Sequence, residues 1–306
     1  MKVYDCFTFF NELDLLDIRM SLLNAVVDYF VIVEGGKSHT GKLKSYLFEE
    51  NVERFEKYKH KIIYVKVDDM PDYSEEDISS DGNNWRLENF QRDCIVRGLT
   101  RAKDDDVILV SDVDEIPNPS IIKEYKANNE TEIWVLEMYM MYYFFNCLNI
   151  SEPIWRSGTR IAKYKEVKAP KQRLSDKPYY HFSEVGSPNY FRFCKGKLIS
   201  GGGWHFSYCG GVDMLFKKLT SISEQHLGNE KISKQQISKD VAKGRDILGR
   251  SGYRYLAFRP KKYLPEALCI LQKDYPHLFF IQPTRYFILN DMKYFFYRCK
   301  RKLGLC

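Results

Sequence analysis

The residues of this sequence best suited to chemistry are acidic and lie close together. The stretch "VILVSDVDEIP" at 107–117 places Asp112, Asp114 and Glu115 directly after a run of aliphatic side chains. In extended backbone Asp112 and Asp114 project to the same face, because side chains alternate with period two. Two adjacent carboxylates repel unless a cation lies between them. Hard divalent ions such as Mg²⁺ or Mn²⁺ take such oxygen ligands and share them with substrate phosphates. A second cluster, Asp104, Asp105 and Asp106 in "KDDDV", precedes the same aliphatic run. Ligands of open α/β sheets gather at the carboxyl ends of strands. The trio therefore reads as a solvated turn, and "SDVDE" as the candidate metal site.

Elements able to position these groups follow from hydrophobic patterning. "VYDCFTFF" is a short apolar-aromatic strand, and in "NELDLLDIRMSLLNAVVDYF" Leu15, Ile18, Leu22, Ala25 and Val26 recur at helical spacing. Asn11 is the expected N-cap, with Glu12 and Asp14 in the first turn. "YFVIVEGG", "KIIYVKV" and "DVILVSD" read as further strands, the last preceded by the helical "NWRLENFQRDCIVRGL". Strands alternating with helices predict βαβ units, right-handed crossovers and a Rossmann-like parallel sheet. Beyond Pro117, "EIWVLEMYMMYYFFN", "TRIAKY" and "KLISGGGWHFSY" are strand-like, and "GVDMLFKKLTSISEQH" is helical. Residues 228–260 turn polar and predict a mobile segment, before "KKYLPEALCILQKDYPHLFF" closes with a helix and an apolar anchor.

Bulk properties narrow the class. A chain of 306 residues, 44% hydrophobic and 29% charged, suffices for one large or two modest domains with a real core. The net charge of +6 suits an anionic substrate and is too mild for a nucleic-acid binder. Its basic excess is local, in the tail "YRCKRKLGLC", where the combination with aromatic residues suggests either a frayed tail or a peripheral anchor on an anionic membrane. The eight cysteines show no CxxC or Cys/His finger spacing, so reduced thiols in a reducing compartment are expected. No signal peptide precedes "KVYDCFTFF", and no apolar run is long enough to span a bilayer. The expectation is a cytoplasmic protein, soluble or peripheral at a membrane.

An Asp-x-Asp at a strand end serves two enzyme chemistries. Haloacid-dehalogenase-like phosphatases use the first Asp as nucleophile, on the first strand and with Thr or Val two positions on. Here the motif lies deep in the chain and Ile116 occupies that place. GT-A glycosyltransferases use DxD after a nucleotide-binding sheet, and the position favours that reading. The blocks "FNELDLLDIRMSLLNAVVDYFVIVEGGKSHTGK", "VSDVDEIP", "GGWHFSYCGGVDMLFKKLTS" and "FRPKKYLPEAL", in this order over residues 4–280, resemble glycosyltransferase family 17. The resemblance implies an α/β, GT-A-like fold: a Rossmann-type, mostly parallel sheet flanked by helices, with a C-terminal acceptor-side extension. It implies metal-dependent, inverting transfer of a sugar, GlcNAc by kinship, from a UDP-sugar to a glycan hydroxyl. Residues 1–120 would be the nucleotide-sugar half, 121–227 the acceptor and metal-completing half, and 228–306 the mobile segment and helical extension. Without the membrane anchor and secretory context of the animal members, a bacterial or viral glycan is the expected acceptor. A DxD phosphohydrolase and a non-catalytic carbohydrate- or membrane-surface protein are the competing readings.

Roles follow from that resemblance. Asp114 would be the principal metal ligand, Asp112 would contact the ribose or a metal-bound water, and Glu115 would either support them or cap the loop. His205 in "GGGWHFSY" is the expected metal or diphosphate ligand, with the glycines allowing close backbone approach; a buried histidine beside Trp204 is its alternative. Asp213, at a helix start, is the candidate general base, with Glu184 and Glu137 as rivals; interaction with the helix dipole would equally explain Asp213. Asn11, Glu12 and Glu34 follow strands and could meet the nucleotide or act as caps. Arg86, Asn89 and Arg92 share a helix face and could reach the uracil or diphosphate. Lys217, Lys218, Arg250, Arg254 and Arg259 could clamp phosphates, and Tyr139, Tyr142, Tyr143, Phe144 and Phe145, with Trp155 and Trp204, could form an acceptor platform or simply core.

Overall fold

The computed structural model describes residues 1–74, 85–169, 184–219 and 233–303, without the side chains of Lys217 and Lys218. The chain begins with β1 (Val3–Phe9), α1 (Leu13–Leu23), β2 (Tyr29–Gly35), α2 (Leu47–Glu50), β3 (Ile62–Val67) and α3 (Arg86–Asp93). It continues through β4 (Val107–Asp112), β5 (Glu115–Pro117), α4 (Pro119–Ala127), β6 (Trp134–Tyr142), β7 (Cys147–Asn149), β8 (Ile154–Trp155) and β9 (Arg160–Lys163). Next come α5 (Tyr164–Lys168), α6 (Pro188–Arg192), β10 (Lys197–Ser207) and α7 (Gly211–Leu219). The last elements are α8 (Lys234–Ala242), β11 (Tyr255–Ala257), α9 (Glu266–Ile270) and α10 (Thr284–Lys302). Contacts divide the chain into two compact units. The first holds Met1–Met138, Arg156–Trp204 and Thr220–His226; the second holds Tyr139–Trp155, His205–Leu219 and Leu227–Cys306.

The first unit is built on the predicted parallel sheet, in the order β3-β2-β1-β4. Strand β9 runs antiparallel along β4, and the start of β6 antiparallel along β9. Registration sets Thr8 beside Asp112 and Phe9 beside Glu34, so the carboxyl ends of three strands share one edge. "KDDDV" lies at the opposite end of β4: Asp104 and Asp105 are exposed and pair with Lys168 and Lys165, while Asp106 accepts the backbone N–H of Lys2 and Lys103. Helix α1 buries Leu15, Leu16, Ile18, Arg19, Met20 and Leu23 and stops there, so Ala25 and Val26 belong to the following turn and not to the expected apolar face. Glu12, not Asn11, occupies its N-cap position.

In the second unit β7 lies between β11 and the end of β6, both antiparallel to it. Its core is aromatic: Tyr142 stacks on Tyr255 at 4.5 Å and Phe145 on Phe206 at 3.8 Å. The polar stretch 228–260 contains regular structure within its described part, because Ser233 caps α8, Ile237 buries beneath it and β11 pairs with β7.

One buried cation joins the elements around the DxD turn. The Arg19 guanidinium donates to both Asp5 carboxylate oxygens at 2.8 and 2.6 Å and to Ser111 Oγ at 2.6 Å. Its Nη1 donates to the backbone carbonyls of Asp112, Val113 and Glu115 at 2.9, 3.3 and 2.7 Å. Both side chains of the pair are fully buried, and the guanidinium lies 4.3 Å above the Phe7 ring. Removing one partner of a buried pair strands the other charge, whereas replacing both removes that penalty. Arg19→Met should therefore cost about 3–5 kcal/mol in denaturant unfolding, and Asp5→Leu/Arg19→Met should be the more stable of the two variants. Equal stability of the single and double variants would show that the ion pair does not anchor this edge.

Candidate functional site

At the carboxyl edge of the first unit's sheet, two arginines converge on Asp112. Arg92, from α3, donates from Nη2 to Asp112 Oδ1 at 2.9 Å and to Glu88 Oε1 at 2.8 Å, and from Nη1 to Asn189 Oδ1 at 2.7 Å. Arg192, at the end of α6, donates from Nη2 to Asp112 Oδ2 at 2.7 Å and grips both Glu115 oxygens at 2.8 and 2.7 Å. Thr8 Oγ1 adds a third donor to Asp112 at 3.0 Å. Burial alone would raise the Asp112 carboxyl, but Arg192 and Arg92 outweigh it and hold its pKa well below the usual carboxylate range. Asp112 is thus a fixed anion, and its backbone N–H donates to Glu115 Oε2 at 3.2 Å. Asp114 is buried in the turn between β4 and β5.

Helix α3 reaches this edge because its buried side is polar. Gln91 Nε2 donates to the carbonyls of Phe9 and Val33 at 3.1 and 2.9 Å, tying together the ends of β1 and β2. Asn89 is buried on the same helix, and Arg86 is half-buried at its start. Helix α6 is set by Ser187, whose Oγ accepts the Tyr190 N–H, and by Pro188 at its first turn.

The remaining residues expected at the site have distinct surroundings. Asn11 is buried, and neither its amide nitrogen nor its amide oxygen has a hydrogen-bond partner among the described residues. Glu12 is buried beside it and accepts the Asn11 backbone N–H at 3.0 Å. Glu34 accepts four hydrogen bonds, from Lys44 Nζ, Leu47 N, Phe48 N and Tyr64 Oη, and so anchors α2 and β3 with both oxygens engaged. Glu137 is held by Ser200 Oγ and Arg156 Nε, which keep its pKa below the usual value. Glu184 is exposed.

His205 and Asp213 belong to the second unit. His205 is buried with its ring 4.9 Å from that of Trp155. Asp213 is exposed in the first turn of α7 and pairs with Lys234 at 2.5 Å. The side chain of Lys218 lies outside the described residues. Arg250 is engaged by Asp246, Tyr142 and Tyr255, and Tyr142, Tyr143 and Phe145 are core residues rather than a surface platform. The glycines before His205 serve packing within the first unit. A Cβ on Gly203 (φ +148°) would lie 2.2 Å from the Ile116 carbonyl oxygen, and Asn118 N donates to the Gly202 carbonyl at 2.8 Å.

Among the described residues no group of three or more His, Cys, Asp or Glu side chains is gathered closely enough to hold a metal ion. The donor set does fit a divalent ion bound in another way. Mg²⁺-like ions commonly take one or two protein carboxylates and complete their shell with waters and substrate phosphates. Asp112 and Glu115 are paired with Arg92 and Arg192, and Asp114 is buried in the same turn.

Three of the groups that organise the edge, Arg19, Gln91 and Arg192, were not singled out by motif or spacing. Arg19 carries a sequence signal, a lone cation between Ile18 and Met20 on the buried face of an amphipathic helix. Arg192 in "NYFRF" carries none, since its partners lie 77 and 80 residues away.

Comparison with known proteins identifies the family. The chain is 25% identical over 244 residues to the β-1,4-mannosyl-glycoprotein 4-β-N-acetylglucosaminyltransferase of Rattus norvegicus, covering 72% of this chain and 42% of that protein. It is 26% identical over 235 residues to the enzyme of the same name from Homo sapiens, covering 69% and 41% respectively. The chain thus spans less than half the length of these curated relatives. Among solved structures, HddC from Yersinia pseudotuberculosis is similar with a TM-score of 0.36 and 9% identity, over 68% of this chain and 90% of that one. The family model described as Glycosyltransferase family 17 matches residues 1–257, and the chain belongs to glycosyltransferase family 17.

Proposed function

We propose that the protein is a metal-dependent, inverting glycosyltransferase that binds a UDP-sugar, of the UDP-GlcNAc type, at the carboxyl edge of the first unit's sheet and transfers the sugar to a glycan hydroxyl. The observation that carries this reading is the Asp112–Val113–Asp114 turn at the end of β4, in which Arg192 and Arg92 hold the Asp112 carboxylate ionised and Arg19 holds the backbone carbonyls. Family membership supports transfer chemistry, and the names of the relatives support GlcNAc as the sugar.

In this reading Asp114 holds the divalent ion together with the donor diphosphate, and the ion supplies Lewis-acid stabilisation of the leaving UDP. Asp112, fixed by two guanidiniums and Thr8, orients the ribose or a metal-bound water. Its three accepted hydrogen bonds suit an orienting anion better than the attacking nucleophile of a phosphohydrolase, which needs an available lone pair. Asn11, at the same edge, offers a donor and an acceptor to the nucleotide; a buried amide without partners is costly unless a ligand satisfies it.

Three outcomes are expected. With Mn²⁺ and a panel of UDP-sugars the protein should release UDP in an acceptor-dependent manner, and both EDTA and Asp114→Asn should cut turnover by about 10²-fold or more. Absence of UDP release with every donor would overturn the reading, and phosphate release without acceptor would favour a phosphohydrolase. Asn11→Ala should weaken UDP binding about tenfold in calorimetry while leaving the unliganded protein as stable as the parent or more so. A loss of stability with unchanged affinity would remove Asn11 from the donor site. The third outcome concerns pH. Because its folded pKa is depressed, Asp112 contributes stability that is fully present above its unfolded pKa of about 4 and lost as pH falls towards the folded value. Asp112→Asn should accordingly be less stable than the parent at neutral pH and converge with it in acid, as read by denaturant melts.

A further inference from the structure

Helix α10 carries an apolar face that the second unit does not cover. Ile288, Met292, Phe295 and Cys299 recur along one side, Leu303 follows just past its end, and Leu289 and Phe296 widen the stripe. These six large apolar residues are 47–72% exposed, and Phe295 and Phe296 are the two exposed phenylalanines among the described residues. Other exposed apolar residues among the described residues are scattered along the sequence, which is ordinary for a protein surface. A contiguous stripe is not ordinary.

The opposite side of α10 is firmly seated in the second unit. Phe287 is buried, and Asn290 Nδ2 donates to the Ala257 carbonyl at 2.8 Å. Tyr294 packs on Phe258 with ring centroids 5.6 Å apart, and Arg301 donates to the Ser151 carbonyl at 2.8 Å. The helix is therefore fixed with its stripe facing outwards.

Charge identifies the occupant. The helix holds six basic residues, Arg285, Lys293, Arg298, Lys300, Arg301 and Lys302, against one acid, Asp291, which is paired with Lys262. Helical spacing puts Lys293 and Lys300 along one border of the stripe, one turn beyond Leu289 and Phe296, and Arg298 and Lys302 along the other. Self-association through the stripe would press two such basic borders together, and protein interfaces are depleted in lysine. An apolar stripe bordered by lysine and arginine matches a bilayer surface with anionic headgroups, where the rings enter the acyl boundary and the ammonium groups stay at the phosphates. Among the described residues no helix is long and apolar enough to cross a membrane, so α10 would lie on the surface.

We propose that α10 docks the protein peripherally on anionic phospholipid membranes, by insertion of Phe295, Phe296, Met292 and Ile288 and by contact of the flanking lysines and arginines with phosphate headgroups. The test is co-sedimentation of the full chain with phosphatidylcholine vesicles and with phosphatidylcholine vesicles containing phosphatidylglycerol. The protein should pellet with the anionic vesicles only, and high salt should weaken the association. Each basic residue near an anionic surface contributes about fivefold in affinity, so Lys293→Gln/Lys300→Gln should bind about 25-fold more weakly. Phe295→Ser/Phe296→Ser should lose binding while its circular dichroism and thermal melt match the parent. The proposal is overturned if the parent stays in the supernatant or pellets equally with neutral vesicles. It is equally overturned if the parent forms a dimer that Phe295→Ser/Phe296→Ser dissolves, which would identify a second copy as the occupant.

Discussion

The guanidinium of Arg19 is the one group on which the geometry of the sheet edge depends. Strand β4 gives way to a turn between Asp112 and Glu115, whose backbone carbonyls point to Arg19. Arg19 gathers three of them while its other donors lock Asp5 and Ser111. A buried carboxylate in the centre of β1 is tolerable only because the cation is there, and the cation is tolerable only because its donors are satisfied. The position of α1, the course of β1 and the shape of the DxD turn are thereby one coupled arrangement.

Outside that clamp lies a second layer of charge. Arg92 and Arg192 face the carboxylates of Asp112, Glu115 and Glu88, so three acids meet two cations. Glu88 also meets His39 Nδ1 at 3.6 Å. Among the described residues no group of three or more His, Cys, Asp or Glu side chains forms a cage, so in the proposed reaction a metal would arrive with the donor diphosphate. The arginines have a different task here. They hold the anions in one orientation, so little reorganisation is left for the moment a ligand binds.

How far this was legible in the sequence depends on the range of each interaction. The DxD placement was readable because an aliphatic strand is a local signal, and the same logic assigned Asp104–Asp106 to the opposite end; the period-two alternation expected of Asp112 and Asp114 does not apply, because Asp114 lies in a turn beyond the strand. That β1 to β4 form a parallel sheet was readable from the alternation of strands and helices, though their order was not. Partners distant in sequence were not: Arg192 meets Asp112 through α6, an element of five residues with no periodicity to reveal it. Glu34, read as either a nucleotide contact or a cap, accepts the first backbone N–H groups of α2, more than ten residues downstream, which no local rule links to it. The glycines before His205 suggested ligand approach, and the actual close neighbour of Gly203 is the backbone at Ile116. Glycine records that something comes near, not what it is.

The aromatic residues show the same limit and a consequence for the surface. Tyr142, Tyr143 and Tyr255 form a core whose hydroxyls are met by Arg250, Asp246 and backbone groups, so their polar ends are satisfied inside the second unit. Phe295 and Phe296 have no polar handle and remain outside. Composition counts the two groups together, although one stabilises the fold and the other costs solvation in its unbound form. The basic borders of α10 oppose contact between stripes, because like charges on every copy repel. The same borders would be attracted to an anionic bilayer. One set of lysines and arginines thus disfavours the homotypic contact and favours the lipid one, and this difference, rather than hydrophobicity alone, gives the helix a preferred partner.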